Sequence, residues 1–191
     1  MTWVGGEKGV PGLLGSMRPS ASTRLLLVLS WLLPLHCGFA ATLKDIKIAL
    51  HVIDFVNNSP PGRTSIGIVY DSHSKDSADD AQSIVESLAA AGSHGGGLKP
   101  VLIDIKDIDD ATGLRAVIVA DHMKPFYGAL STYGRRTSTL IMSTDLDCVR
   151  ASKCTVGIAS NPRVEVIVSS QQSQASAIQF SEAFRMMVTE Y

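Results

Sequence analysis

Two cysteines, Cys148 and Cys154, stand six positions apart in the stretch D-C-V-R-A-S-K-C. Paired thiols can form a disulfide, bind a metal ion or supply a nucleophile. A zinc site needs about four ligands, and no further Cys or His lies nearby at zinc spacing. A nucleophilic thiol requires a neighbouring base, but the local side chains are the cations Arg150 and Lys153, which favour a thiolate. The chemistry of the pair therefore depends on the redox compartment.

The N-terminus predicts export. Residues 25–35 form an apolar run that follows Arg18 and Arg24, and the run is shorter than the about 20 residues that a membrane-spanning helix needs. A positive flank, a short apolar segment and small residues after it are typical of a cleaved secretory signal. Gly38 and Ala40 would occupy the −3 and −1 positions for cleavage after Ala40. We therefore expect residues 1–40 to be an N-terminal extension with a cleaved leader.

Three alternatives remain open at this end of the chain. The first alternative concerns the start of translation, which is Met1 or Met17. Met17 is considered because the segment before it is Gly-rich and has no pattern of apolar residues. A lipoprotein would carry its lipid on Cys37, although His36 stands where such signals have a small residue. The apolar run could also remain as an uncleaved anchor or a buried helix.

Export sets the expected state of the cysteines. Cleavage after Ala40 removes Cys37 and leaves Cys148 and Cys154 in an oxidising compartment, where an even number of cysteines favours a disulfide. A bridge across this short loop stabilises the fold by ~2.4 kcal/mol in the chain-entropy model. We expect a structural bridge; a redox-sensitive bridge and free thiols are the alternatives.

The remaining chain, residues 41–191, is long enough for one domain with a substantial core. Three of the 17 basic residues and one of the 18 acidic residues precede Ala41, which leaves a formal charge of −3. The basic residues are scattered, which argues against nucleic acid as a partner. Because no second apolar run is long enough to span a bilayer, we expect no membrane span in the mature chain and a periplasmic location.

Apolar periodicity and turn residues predict the secondary structure of this domain. In chain order, the expected elements are a helix at 43–56, a strand at 65–71, a helix at 76–91, strands at 101–105 and 115–121, a helix at 123–133, a strand at 138–143, a hairpin of 155–159 with 163–169, and a last helix at 172–190. This alternation predicts a single three-layer α/β domain. Its central sheet is expected to be mostly parallel, with helices on both faces and a C-terminal antiparallel hairpin.

Polar residues follow three of the predicted strands, and ligands of such sheets bind beyond the carboxyl ends of the strands. Asp71 and His73 follow the first strand, Asp121 and His122 the third, and Asp145 the fourth. If these strands are parallel neighbours, the five residues form a rim that could hold a cation or a polar ligand. The alternative is that they cap helices and satisfy turn amides.

The order of these segments resembles a known family. The first helix ends in F-V-N-N-S-P, residues 55–60, and the strand I-G-I-V-Y-D follows. Near the end, C-T-V-G-I-A-S-N-P-R-V-E-V-I-V-S, residues 154–169, precedes A-I-Q-F-S-E-A-F-R-M-M-V, residues 177–188. On these stretches the chain resembles the YfiR-like family of bacterial periplasmic proteins.

This resemblance implies a non-catalytic periplasmic regulator. The best-known relative restrains a membrane diguanylate cyclase by binding its periplasmic domain, and disulfides control that relative's stability. By resemblance, the cysteine role falls on Cys148 and Cys154. The expected partner is the periplasmic domain of an inner-membrane signalling protein, and a homodimer is a further expectation.

Two other functions remain as alternatives. The rim at Asp71, Asp121 and Asp145 would suit one lobe of a solute-binding protein, or a hydrolase that uses the same carboxylates. The sequence has no nucleophile elbow, no H-E-x-x-H motif and no candidate triad. We therefore predict a protein that is not an enzyme and that needs no cofactor or metal. The exposed parts of the first and last helices could serve as a partner surface.

Overall fold

The computed structural model describes Thr2 and residues 41–59, 61–91 and 97–191. The predicted leader, residues 1–40, lies outside these ranges apart from Thr2. Within the described residues, no helix is both long and apolar enough to cross a membrane.

The described chain alternates between helices and strands for most of its length. Its helices are α1 (Leu43–Asp54), α2 (Lys75–Ala91), α3 (Tyr127–Thr137), α4 (Leu146–Arg150), α5 (Ser170–Ala175) and α6 (Glu182–Arg185), with 3-10 turns at Ile105–Asp110 and Lys124–Phe126. Its strands are β1 (Ser65–Tyr70), β2 (Lys99–Asp104), β3 (Leu114–Val119), β4 (Leu140–Ser143), β5 (Val156–Ala159), β6 (Glu165–Val168) and β7 (Thr189–Glu190).

The described strands form one sheet in the order β2-β1-β3-β4-β5-β6-β7. Strands β1 to β5 are parallel to one another. Strand β6 is antiparallel to β5, and β7 is parallel to β6. The expected fold class, a mostly parallel sheet with a C-terminal antiparallel hairpin, is therefore confirmed.

Helices cover both faces of the sheet, because successive side chains of a strand point to opposite faces. In β3, Ala116 and Ile118 enter the core under α1 and α2. Val117 and Val119 enter a second core, to which α3 and α4 contribute. Central strands buried on both faces have nearly continuous apolar sequences, and residues 116–119 of β3 are all apolar and buried.

Helix α1 begins where its sequence predicts. The Thr42 side chain accepts a hydrogen bond from the backbone N–H of Asp45, and the Asp45 carboxylate accepts one from the backbone N–H of Thr42. This reciprocal capping box satisfies amides that would otherwise lack partners at the helix start. The methyl group of Ala41, one residue earlier, already lies in the core.

The region between β4 and β5 holds a helix that the periodicity missed. Helix α4 spans Leu146–Arg150, and Asp145 caps it by accepting a hydrogen bond from the backbone N–H of Asp147. Five residues are too few for an apolar period to be recognised. The helix carries Cys148 into the second core.

The predicted last helix, residues 172–190, is wrong as a single element. Helix α5 ends at Ala175, and Ala177 has a φ of +53°, in the left-handed region that interrupts helices. Ser181 then caps the short helix α6 by accepting a hydrogen bond from the N–H of Phe184. The apolar residues of this segment are spaced as in a helix, but serine capping divides it.

The segment after α5 pairs with the end of α1. The N–H of Asn57 donates to the carbonyl of Gln179 at 2.9 Å, and the N–H of Ser181 donates to the carbonyl of Phe55 at 2.9 Å. Phe184 stacks on Phe55, with ring centroids 5.1 Å apart. The two ends of the domain that carry the family resemblance therefore pack against each other.

Substitution of Phe184 by alanine should test this packing. Phe184 is 4% exposed, and removal of a buried phenylalanine side chain costs about 3–5 kcal/mol of unfolding free energy. Urea denaturation followed by circular dichroism measures the loss. The control is Met187→Ala, because Met187 is 67% exposed and exposed positions usually change stability by less than about 0.5 kcal/mol. Equal effects of the two substitutions would contradict the packing described here.

Candidate functional site

The predicted rim residues follow three strands that are parallel neighbours in the order β1, β3, β4. Asp71 comes directly after β1, Asp121 comes two residues after β3, and Asp145 comes two residues after β4. The carboxyl ends of these strands therefore meet at one edge of the sheet, as expected. The contacts of each carboxylate determine what this edge can bind.

Asp71 is engaged by its own loop. Its Oδ1 accepts a hydrogen bond from the backbone N–H of His73 at 2.9 Å and lies 3.3 Å from the His73 ring nitrogen Nδ1. Its backbone N–H donates to the Ser77 hydroxyl at 3.2 Å. This pattern is an aspartate turn that leads into α2.

Asp121 and His122 form a similar local arrangement. The Oδ1 of Asp121 accepts a hydrogen bond from the backbone N–H of His122 at 2.8 Å. The φ of His122 is +61°, in the left-handed region. Its ring nitrogen Nε2 lies 3.7 Å from Asp121 Oδ2 and 3.9 Å from Asp76 Oδ2 on α2. The imidazole thus lies between two carboxylates.

Asp145 has two partners. Its Oδ1 accepts the backbone N–H of Asp147 at 2.9 Å and so caps α4. Its Oδ2 accepts the phenol of Tyr127 at 2.6 Å. Burial, followed by the hydrogen bond to Asp145, raises the pKa of Tyr127 far above its ordinary value. The tyrosine is therefore a hydrogen-bond donor at neutral pH.

These contacts favour capping as the main role of the rim carboxylates, one of the two interpretations that the sequence left open. Each carboxylate accepts a backbone N–H from the residues that directly follow it, in a loop for Asp71 and Asp121 and in the first turn of α4 for Asp145. Within the described residues, no group of three or more His, Cys, Asp or Glu side chains is arranged to hold a metal ion. A role for Asp71, His73, Asp121, His122 and Asp145 in ligand binding remains a prediction.

Asp80 on α2 joins this edge of the sheet, and the sequence analysis did not single it out. Its Oδ2 accepts the backbone N–H of Asp121 at 2.8 Å, and its Oδ1 accepts the backbone N–H of Ala41 at 3.0 Å. Burial raises the pKa of Asp80, while the two backbone N–H groups oppose that rise. A buried carboxylate with only neutral donors is costly to keep charged.

A cleft at the C-terminal end of the domain was also missed. It has a volume of about 360 Å³, within the range of roughly 300–1,000 Å³ that is common for small-ligand sites. Polar and apolar groups line it: Asn57, Val168, Ser170, Ser173, Gln174, Ile178, Gln179, Phe180, Arg185 and Glu190. No pattern in the sequence points to this cleft, because it forms where the predicted last helix is interrupted.

The two charged groups of the cleft are paired with each other. Arg185 donates through Nε to Oε1 of Glu190 at 2.7 Å and through a second guanidinium nitrogen to Oε2 at 3.3 Å. Hydrogen bonding from Arg185 holds the pKa of Glu190 below its usual value. The hydroxyl oxygen of Ser173 is buried and has no hydrogen-bond partner among the described residues. The cleft therefore contains an Arg185–Glu190 ion pair and an unused hydroxyl.

The two described cysteines form a disulfide. The Sγ atoms of Cys148 and Cys154 are bonded, and their Cα atoms lie 5.2 Å apart. Both residues are fully buried. The bridge ties α4 to the segment before β5, and the backbone N–H groups of Lys153 and Cys154 both donate to the Cys148 carbonyl. This position in the core favours the structural interpretation of the pair.

Comparisons with known proteins give similarity of fold. No protein-family model and no curated protein matches the chain. A solved structure described as a conserved domain protein from Vibrio cholerae has a TM-score of 0.56 and 14% identity, over 76% of this chain and 59% of that one. The ABC domain in complex with L-Trp from Streptococcus pneumonia has a TM-score of 0.55 and 10% identity, over 76% of this chain and 60% of that one. The chain thus spans about three fifths of both neighbours.

The double variant Cys148→Ala, Cys154→Ala should unfold more easily than the wild type. The chain-entropy model gives a loss of ~2.4 kcal/mol of unfolding free energy for this loop, which urea denaturation measures. As a control, the folded wild type treated with dithiothreitol should keep its bridge, because both sulfurs are buried, and should lose it in denaturing urea. Rapid reduction of the folded protein, followed by thiol titration, would instead identify a redox-sensitive bridge.

Proposed function

We propose that this chain is an exported, non-catalytic regulatory protein that restrains a membrane signalling protein, such as a diguanylate cyclase, by binding its periplasmic domain. The observation that carries the proposal is the exposure of three large apolar side chains near the C-terminal end of the chain, Met186, Met187 and Tyr191. We call these three residues the methionine patch.

The methionine patch contains the two most exposed large apolar side chains of the described residues. Met186 is 82% exposed and Met187 is 67% exposed, although each is apolar. Flexible, polarisable methionine side chains are typical of adaptable protein-binding surfaces. Phe184 lies in the core beside them and fixes the backbone that presents the patch.

Two further features support the proposal. The two described cysteines form a bridge of the kind found in oxidising compartments. The stretch that contains both methionines, A-I-Q-F-S-E-A-F-R-M-M-V, also carries part of the resemblance to the YfiR-like family. Regulation by such a protein requires only that it bind one conformation of its partner more tightly than the other.

Removal of the chain from its own bacterium should raise cyclic di-GMP, because an unrestrained cyclase is more active. Wild-type protein should restore the level, and the variant Met186→Glu, Met187→Glu should fail, because charge on the patch would have to be desolvated on binding. Cyclic di-GMP measured by mass spectrometry is the readout.

The matched control for this experiment is Val101→Glu. Val101 is also an exposed apolar residue, 41% exposed, but it lies on β2, at the other end of the sheet. The Val101→Glu variant should restore cyclic di-GMP fully to the wild-type level. Unchanged cyclic di-GMP after removal of the chain, or equal failure of both variants, would argue against the proposal.

The cleft favours a second candidate, the binding of a small polar molecule. It is lined by Arg185, Glu190 and the unpartnered hydroxyl of Ser173. One structural neighbour of similar fold is a domain in complex with L-Trp. A ligand with both a carboxylate and an amine would match these two opposite charges by replacing the ion pair that Arg185 and Glu190 form with each other.

A thermal-shift screen of amino acids and their derivatives tests this candidate. A ligand at 100 times its Kd contributes about 2.7 kcal/mol, which raises the melting temperature by roughly 5–11 °C for a domain of this size. Arg185→Gln should abolish the shift, whereas Arg136→Gln, at an exposed ion pair with Asp109 outside the cleft, should retain it. A shift that survives Arg185→Gln would place the ligand elsewhere.

A further inference from the structure

The backbone nitrogen of Ala41 occupies an uncommon environment. Ala41 is 6% exposed, and its N–H donates to Asp80 Oδ1 at 3.0 Å in a buried hydrogen bond. Asp80 is itself 6% exposed. A carboxylate in such a place normally pairs with a positive charge, yet both of its backbone donors, Ala41 and Asp121, are neutral amides while residue 40 remains attached.

Cleavage after Ala40 would change one of these donors. Hydrolysis by a signal peptidase adds water across the peptide bond between Ala40 and Ala41. The carboxylate remains on Ala40, and the nitrogen of Ala41 becomes an α-amino group that takes up a proton at neutral pH. That nitrogen is the atom that already faces Asp80.

We propose that maturation places a new α-ammonium group at Ala41 in a buried ion pair with Asp80, and that this pair fixes the β3 end of the rim. The inference rests on the export part of the proposed function. It is independent of the methionine patch and of the partner.

The position of the nitrogen is set by groups on both sides of it. The methyl of Ala41 packs in the core, and the N–H of the next residue, Thr42, donates to Asp45 at 2.9 Å in the capping box. The ammonium would therefore be held in place without the loss of much chain entropy. Charge-assisted hydrogen bonds are about twice as strong as neutral ones.

The ion pair would also act on the rim. Asp80 Oδ2 holds the N–H of Asp121, and the Asp121 carboxylate in turn holds the N–H of His122. His122 adopts a left-handed backbone conformation, which for such a residue requires support from its surroundings. Burial drives Asp80 toward its protonated form, which is the weaker acceptor. An ion pair with the α-ammonium would keep Asp80 charged, so its hydrogen bond from the Asp121 N–H would be stronger.

The test uses the full chain, exported with its own leader from a Gram-negative host. One version is the wild type. The other has Gly-Ser inserted directly after Ala40, which keeps Gly38 and Ala40 at the cleavage site but moves the new ammonium two residues away from Asp80. Intact-mass measurement identifies the first residue of each product. We expect the wild type to begin at Ala41 and to melt at least about 4 °C higher than the extended version.

Asp80→Asn in both backgrounds isolates the pair. It should lower the melting temperature of the wild type and change that of the extended version by less than half as much. The matched control is Asp79→Asn, because Asp79 is an exposed neighbour on α2 that pairs with Lys75. Its small effect should be the same in both backgrounds. Equal effects of Asp80→Asn in the two backgrounds would overturn the ion pair.

The pH dependence gives a second readout. The carboxylate raises the pKa of the α-ammonium in the folded state above its unfolded value of about 7.7–8.0. The extra stability of the wild type is therefore fully present below that value and is lost as pH rises through the folded pKa. The charged groups near Asp80, which are Asp121 and His122, are common to both versions and cancel in the comparison. A stability difference that persists at pH 10.5 or above would overturn the proposal.

The possible failures are distinguishable. A mass that shows no cleavage, or a first residue other than Ala41, overturns this inference together with the export that it requires. A product that begins at Ala41 but shows no coupling to Asp80 overturns the ion pair alone. The partner-binding proposal is decided separately, by cyclic di-GMP and the methionine variants.

Discussion

Burial of both faces of the parallel sheet is the constraint on which the rest of this structure depends. Strands β1, β3 and β4 are covered by α1 and α2 on one side and by α3 and α4 on the other. Parallel strands run in the same direction and are joined by crossover connections. Their carboxyl ends therefore meet at one edge of the sheet. The rim, the aspartate turns and the Asp80 contacts all occur there because of that geometry. Because β6 is antiparallel to β5, its carboxyl end, where Val168 and Ser170 line the cleft, lies at the opposite edge.

The sequence predicted the elements that this constraint controls. Continuous apolar strands and helices with periodic apolar residues can be predicted from short stretches of sequence. The hairpin at 155–169 is predicted by the turn S-N-P between two segments of alternating apolar and polar residues. Helix α4 was missed because its five residues contain no full apolar period. The last helix was overextended because residues 178–188 keep helical spacing, although the left-handed Ala177 and the cap at Ser181 break the chain there.

The candidate sites depend on contacts between residues that are far apart in the sequence, so neighbouring residues alone do not predict them. Asp79 and Asp80 are adjacent on α2 and look alike in sequence. Asp79 pairs with Lys75 in solvent, whereas Asp80 is buried against Ala41, which is 39 positions away, and against Asp121, which is 41 positions away. Only the tertiary structure shows that Asp79 is a surface charge and that Asp80 accepts buried hydrogen bonds. The same holds for the cleft, whose walls come from both ends of the domain and meet through the pairing of Phe55 and Asn57 with Ser181 and Gln179.

The contact between Ala41 and Asp80 has a consequence for translocation. A polypeptide that passes through a narrow secretion channel has to stay unfolded until it reaches the far side. In the precursor, the nitrogen of Ala41 belongs to a peptide bond, so it donates to Asp80 only as a neutral amide. If the ion pair forms as we propose, the leader keeps the chain less stable while it must travel, and its removal completes the fold where the protein acts.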